Sequence, residues 1–181
     1  MPTPDHNPHR NPLAKADLSE RANLEVLTLS LDDNLFALEA RHVREILDLV
    51  PITEVPTSHP FVGGLINVRG KVVPLADLRH KFGMALRPDT VDTRIVVIEI
   101  DLGGDQTTIG LRADKVHEVT EMTAASLQDT PRIGMAWRQD FIHCIAKRDD
   151  VFVVVLDIAA VFAAGSGVEG AGDRAAPRTA A

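Results

Sequence analysis

Apolar and polar residues alternate along several short segments of this chain. Leu27, Leu29 and Leu31 alternate with polar residues, and segment 96–102 alternates in a similar way. A period of two predicts strands with one buried face. Other short apolar runs are bounded by Gly, Pro or Asp and predict further strands; they are 52–55, 65–68, 72–75, 108–111 and 151–156. The pattern therefore predicts a mostly β protein.

Three segments break this pattern and predict short helices. Asp77 and Asp157 each end an apolar run and precede the helix-like segments 78–82 and 158–162. Their carboxylates are predicted to cap those helices by accepting unpaired backbone N–H groups. In segment 40–47 the apolar residues share one helical face, which predicts a one-to-two-turn helix over the sheet or, alternatively, an edge that a partner contacts.

The two halves of the chain resemble each other. A shift of 73 positions places Leu38, Ala40, Val43 and Glu45 on Leu111, Ala113, Val116 and Glu118, and a shift of 80 places Phe61, Val73 and Asp77 on Phe141, Val153 and Asp157. Two matching blocks in one order predict a duplicated β unit. Because a small sheet must close to avoid exposed edges, we expect two small barrels that share an interface.

The same reasoning predicts the domain limits. Residues 1–22 and 165–181 lack apolar periodicity and are predicted to be flexible tails. Residues 23–164 form the predicted domain, with a first barrel at about 23–87 and a second at about 88–164, mixed by packing.

Segment 65–78, with the sequence LINVRGKVVPLADL, predicts a hairpin with a polar tip. Gly70 is predicted to take the positive φ that many tight turns require. Arg69 precedes it, and a turn alone gives no reason for a guanidinium there. This residue is therefore a candidate for contact with another molecule.

The composition argues against several classes of function. The 181 residues are 45% hydrophobic and 25% charged, with a net charge of −7, which disfavours binding to nucleic acid. Cys144 is the single cysteine, so no internal disulfide forms, and we expect a small buried apolar residue rather than a nucleophile. The N-terminus has no apolar core of signal-peptide length and no apolar run is long enough to span a bilayer, so membrane association is expected only through partners.

No cofactor or metal site is predicted. The seven histidines lack metal-ligand spacing, and no phosphate-binding or nucleophile motif is present. Asp77 and Asp157 at matching positions could form an acid–base pair, although capping explains them better. Trp137 is expected to fill the core between the barrels, or else to anchor a partner.

The order of motifs resembles the CheW family of chemotaxis coupling proteins. The resemblance rests on PFVGGLINVRG at 60–70 and VPLADLR at 73–79, and on IGLRADKVHEV at 109–119 in the second half. It implies two five-stranded SH3-like barrels around a shared core. It also implies a cytoplasmic adaptor without catalysis that links chemoreceptor tips to the regulatory domain of the histidine kinase CheA in receptor arrays.

The resemblance also implies site residues. Val43 and Gly64 match receptor-contact positions of the family, and Arg69 is expected to face the receptor. The kinase contact maps less sharply, to strand ends of the first barrel. Cys144 stands where the family usually has Gly. Two other functions stay open: an SH3-like module of an unrelated pathway, and an acid/base enzyme that uses Asp77 and Asp157.

Overall fold

The computed structural model describes residues 23–55, 61–128 and 138–164. Both predicted tails and Trp137 lie outside these residues. The described chain forms two six-stranded sheets and two short helices, which confirms the predicted mostly β class. The helices are α1 (Leu78–Phe82) and α2 (Ile158–Ala163).

Each sheet contains five strands of six or more residues and one strand of two residues. Sheet I contains, in spatial order, β3 (Val43–Asp48), β7 (Arg94–Leu102), β8 (Asp105–Ala113), β6 (Lys71–Asp77), β5 (Val62–Val68) and β4 (Thr53–Glu54). Sheet II contains β10 (Leu127–Gln128), β11 (Ile142–Arg148), β12 (Val151–Leu156), β2 (Asn34–Glu39), β1 (Asn23–Leu31) and β9 (Lys115–Thr123). In each sheet the two edge strands follow one another along the chain, so the sheet curls back toward itself.

The predicted helix at 40–47 is wrong. Only Ala40–His42 forms a single 3-10 turn, and Val43–Asp48 is strand β3, paired antiparallel with β7. Side chains along β3 are alternately half-buried and exposed. The polar Glu45 occupies one of the half-buried positions, and this polar residue disguised the period of two in the sequence.

The two halves exchange their first hairpins. β1 and β2 come from the first half but pair with β9 and β12, whereas β7 and β8 pair with β3 and β6. The two parallel pairings are equivalent, because Leu75 faces Gly110 and Val155 faces Ala37, at separations of 80 and 73 along the repeat. The sequence repeat is therefore a structural repeat, and position 87–88 does not divide one sheet from the other.

The apolar core consists of three clusters of buried residues. The largest cluster lies between the sheets and includes Leu29, Phe36, Ile98 and Leu156. Sheet I encloses its own cluster, which includes Ile66 and Val73, and sheet II encloses another. Aromatic pairs repeat across the shared cluster: the ring centroids of Phe61 and Phe162 are 5.0 Å apart, and those of Phe82 and Phe141 are 6.3 Å apart.

Asp77 and Asp157 are the N-caps of α1 and α2. The Asp77 carboxylate accepts the backbone N–H of Arg79 at 3.0 Å, and the Asp157 carboxylate accepts that of Ala160 at 2.9 Å. The two residues differ in what else they bind. Asp77 also pairs with the Arg79 guanidinium at 2.6 Å, and this guanidinium, only 1% exposed, reaches Asp114 at 3.0 Å.

Asp114 connects this buried ion pair to the other sheet. Its second carboxylate oxygen accepts the backbone N–H of Asp32 at 2.6 Å, in the turn between β1 and β2, and its own N–H donates to Ser30 at 3.0 Å. Hydrogen bonds to Asp77 raise the pKa of Arg79, so the guanidinium stays charged. Because a buried charge without a partner is costly, the buried Arg79 depends on both Asp77 and Asp114.

Cys144 is buried in the cluster that sheet II encloses, at a bulge in β11. Burial raises the pKa of its thiol to about 11, with the negative charge of Glu39 as a second cause. The thiol is therefore protonated at neutral pH and packs as a small apolar group.

We predict that Cys144 reacts with thiol reagents only after unfolding. Its raised pKa leaves very little thiolate at pH 8, and burial blocks access. Labelling with Ellman's reagent should be negligible in buffer and complete in concentrated urea. Rapid labelling of the folded protein at pH 8 would contradict the buried position.

We predict that the two caps differ in energy. Asp157→Ala should cost about 1 kcal/mol of unfolding free energy, the usual worth of an N-cap. Asp77→Ala should cost about 3 kcal/mol, because it also breaks a buried ion pair. Urea titration measures the unfolding free energy of both variants, and Asp157→Ala serves as the control for Asp77→Ala. Equal losses of unfolding free energy would show that the Asp77–Arg79 ion pair adds no stability.

Candidate functional site

The tip of the β5–β6 hairpin is a two-residue turn. Val68 pairs with Lys71, and Arg69 and Gly70 between them have φ values of 51° and 82°. The side chain of Asn67 accepts the backbone N–H of Gly70 at 2.8 Å and fixes the turn. Two positive φ values are typical of the hairpin turn that favours Asn or Gly at both positions, so Arg69 holds a backbone conformation that arginine does not favour.

The Arg69 guanidinium pairs with Glu45 on β3, an edge strand of sheet I. Its Nη2 donates to a carboxylate oxygen of Glu45 at 3.0 Å, and its Nε lies 3.2 Å from both oxygens. The side chain of Arg69 is 81% exposed, whereas that of Glu45 is 23% exposed. Arg69 thus has a partner within the chain, and most of its surface still faces solvent.

Strand β3 places Val43 beside this ion pair. Val43 starts the strand and packs against the cluster between the sheets, and Glu45 follows two residues later. Between them in sequence, the exposed Arg44 donates to Glu99 of β7 at 2.9 Å and lowers the pKa of that carboxyl. The resulting surface carries apolar and charged groups in close proximity.

Gly64 lies on β5, where a side chain would clash with the edge strand. A Cβ there would lie 2.5 Å from Cγ2 of Ile52 and 3.2 Å from the carbonyl oxygen of Thr53. The glycine therefore permits β4 to approach β5. It also lines a cleft of about 360 Å³ whose walls include Ile52, Leu86 and Arg112.

The structure thus joins Arg69 to the strand of Val43, because Glu45 lies on that strand and pairs with Arg69. It places Gly64 in a separate cleft that none of these three residues lines. Sequence reasoning misses Glu45 as the partner of Arg69, because the pattern of segment 40–47 predicts a helix. It also misses the burial of Arg79. The DLR motif at 77–79 contained that signal, since an arginine two residues after a capping Asp can share its carboxylate.

The described residues offer no support for catalysis by the two aspartates. Both oxygens of Asp77 accept hydrogen bonds from the guanidinium of Arg79, and Asp157 caps its helix. Across 23–55, 61–128 and 138–164, no group of His, Cys, Asp or Glu is arranged to hold a metal ion. Within the same ranges, no helix has the length and apolar character needed to cross a membrane.

Known proteins are similar to this chain in sequence and in fold. The family model of the CheW-like domain matches residues 25–165. A probable chemotaxis protein CheW of Rhizobium etli is 28% identical over 138 residues, covering 76% of this chain and 86% of that protein. The chemotaxis protein CheW of Helicobacter pylori is 28% identical over 148 residues, covering 80% and 87%.

A solved structure agrees with these matches. The crystal structure of the scaffolding protein TtCheW from Thermoanaerobacter tengcongensis superposes with a TM-score of 0.67 at 32% identity, covering 77% of this chain and 92% of that one. Because the family model spans most of the chain and the fold agrees, the chain belongs to the CheW-like domain family, whose members are chemotaxis adaptors and scaffolds rather than enzymes.

Proposed function

We propose that this protein is a cytoplasmic adaptor that couples chemoreceptor tips to the regulatory domain of the histidine kinase CheA within receptor arrays. The observation that carries the proposal is the Arg69–Glu45 pair. A mostly exposed arginine occupies a turn position that the fold would give to Asn or Gly. Its position is thus better explained by a contact outside the chain than by the turn itself.

The chemistry of this surface suits the tip of a helical receptor. Arginine binds a carboxylate through two parallel hydrogen bonds, which fixes orientation as well as affinity. A glutamate on the receptor can replace Glu45 as the acceptor, and Val43 supplies an adjacent apolar contact. Because the guanidinium of Arg69 is mostly exposed to water, a carboxylate from a partner can compete with Glu45 for it.

The cleft beside β4 is the surface that we propose for the kinase. Ile52 and Leu86 are exposed there to 38% and 56%, and the ion pair between Arg112 and Asp89 borders them. An apolar centre with a charged rim is typical of protein interfaces. Gly64 lines the same cleft, so we assign this residue to the kinase contact rather than to the receptor contact that the resemblance implies.

The two alternative functions make different demands on the molecule. An acid/base enzyme requires a carboxyl group free to exchange a proton, and Asp77 is held by Arg79 instead. An SH3-like module of an unrelated pathway would fit the same surfaces. Binding to purified receptor and kinase separates that module from the adaptor.

We predict that Arg69→Glu abolishes or greatly weakens pull-down by the receptor's cytoplasmic tip while kinase binding is preserved. The variant places a second carboxylate at a site that attracts acidic partners, yet its exposed position should leave the melting transition nearly unchanged. Arg138→Glu is the matched control, because Arg138 is also exposed and paired with a nearby acid, Asp140. Receptor binding equal to the parent would exclude the proposed contact.

We predict the opposite selectivity for Ile52→Arg. A charge at the centre of the cleft should weaken binding to the kinase regulatory domain at least tenfold, the effect of losing about 1.4 kcal/mol, while receptor binding persists. Val91→Arg is the control, because Val91 is 90% exposed and outside the residues that line the cleft. Calorimetric titration with each partner measures both effects, and unchanged kinase affinity would place that contact elsewhere.

A further inference from the structure

Four hairpins in the described ranges turn through two residues each, and their turn residues differ in kind. The turns are Asp32-Asp33, Arg69-Gly70, Gly103-Gly104 and Asp149-Asp150. Among the described residues, positive φ values fall on glycines, on aspartates and on Arg69. Glycine enters this left-handed region freely and aspartate does so with local support, whereas a long side chain does so at a cost. Arg69 therefore needs a local contact that holds its backbone there.

Asn67 makes a hydrogen bond of the kind that can hold this turn. Its side-chain oxygen accepts the backbone N–H of Gly70, the second turn residue, at 2.8 Å. Asp101 accepts the N–H of Gly104 at the same distance and from the same position relative to its own turn. The two turns differ in their first residue, which is glycine after Asp101 and arginine after Asn67. The bond of Asn67 is thus the one that supports a conformation unfavourable to the turn residue.

The apolar core gives no reason for an asparagine at position 67. Asn67 is exposed and faces the exposed Val72 across the hairpin. Its repeat equivalent, 80 positions later, is Lys147, which reaches the carboxylate of Asp150 at 2.8 Å instead. In that second tip the arginine that pairs with a glutamate is Arg148, which precedes the turn. Of the two equivalent tips, the asparagine therefore accompanies the one whose arginine lies within the turn.

The direction of the Arg69 side chain follows from its backbone. The side chain is 81% exposed, so packing contributes little to its direction. Its Nη2 nevertheless donates to Glu45 at 3.0 Å, and its Nε lies 3.2 Å from both carboxylate oxygens. A return of φ to the negative values that arginine prefers would change the direction of the Cα–Cβ bond. The guanidinium would then lose its position beside β3.

We propose that Asn67 is a positioning residue for the receptor contact. Its hydrogen bond to Gly70 keeps Arg69 in the left-handed conformation and so directs the guanidinium toward β3, where a receptor carboxylate binds it. The inference rests on the proposed function, because it assigns a role in the same receptor contact. Asn67 acts through Arg69 and does not itself touch the receptor. If loss of the bond leaves this conformation in about a tenth of the molecules, the apparent affinity for the receptor falls about tenfold.

The test compares Asn67→Ala with Asp101→Ala in the full-length chain. Asp101→Ala is the matched control, because it removes the same hydrogen bond from a turn without an arginine. Calorimetric titration with a purified receptor tip fragment should show binding about tenfold weaker for Asn67→Ala and equal to the parent for Asp101→Ala. Both variants should bind the kinase regulatory domain as the parent does, and their melting temperatures should be similar.

Exchange of the Arg69 Nε–H with water, followed by NMR, reports the position of the guanidinium without any partner. This N–H donates to Glu45 in the parent and should exchange slowly. Asn67→Ala should accelerate the exchange. Asn67→Asp should restore slow exchange, because an aspartate accepts the same bond at position 101. Fast exchange in the parent would contradict a guanidinium held by the turn.

The outcomes separate positioning from the other roles of Asn67. Receptor affinity of Asn67→Ala equal to that of the parent would overturn the inference. Equal weakening of receptor and kinase binding would also overturn it, because it would indicate a general loss of structure. Weaker receptor binding with unchanged Nε–H exchange would mean that Asn67 contacts the receptor itself, which contradicts a positioning role. A parent that binds no receptor tip would refute the proposed function instead, and the exchange rates alone would then decide whether Asn67 holds Arg69.

Discussion

Neither half of this duplicated chain can complete a sheet from its own strands, and the rest of the structure depends on this constraint. The parallel pairings of β6 with β8 and of β12 with β2 join each set of four strands to the hairpin of the other half. An unpaired edge of this length would expose backbone N–H and C=O groups to water or to other chains. The sheets and the cluster between them therefore have to form together.

The buried Arg79 strengthens the same junction. It connects the cap of α1 to Asp114, and Asp114 connects to the β1–β2 turn of the other sheet. The repeat does not conserve this arrangement, because Ala159 stands at the equivalent position in the second half. This charged connection accompanies two equivalent aromatic contacts, and the molecule is symmetric in its apolar core but not in its charges.

The sequence predicted the features that depend on residues close together along the chain. Alternating runs predicted the strands, because a half-buried strand must repeat every two residues, and Asp before a helical run predicted the caps. The internal repeat also predicted which strands are equivalent. The exchange of hairpins was not predicted, since neither local pattern nor the repeat states whether a hairpin pairs within its own half.

The two errors at the candidate site have a common physical cause. The half-buried Glu45 on β3 depends on a partner distant in sequence, Arg69, and the fully buried Arg79 needs the distant Asp114 in addition to the neighbouring Asp77. Reasoning from local patterns assigns charged residues to the surface, because an unpaired buried charge is costly. Charged groups become compatible with burial only when the fold brings their partners to them.

The same asymmetry explains why the hairpin tips can carry function. The core fixes the backbone of both tips through equivalent pairings, so side chains at the turns vary without affecting the clusters beneath them. Arg69 and Asp149 occupy equivalent turn positions, and both have positive φ values, yet their charges are opposite. An arginine nonetheless binds the equivalent glutamate in each half: Arg69 lies within its turn, and Arg148 precedes its turn. The Arg–Glu pair thus occurs at both tips from different positions, because a tip whose backbone is fixed by the sheet lets a long side chain reach the edge strand from either one.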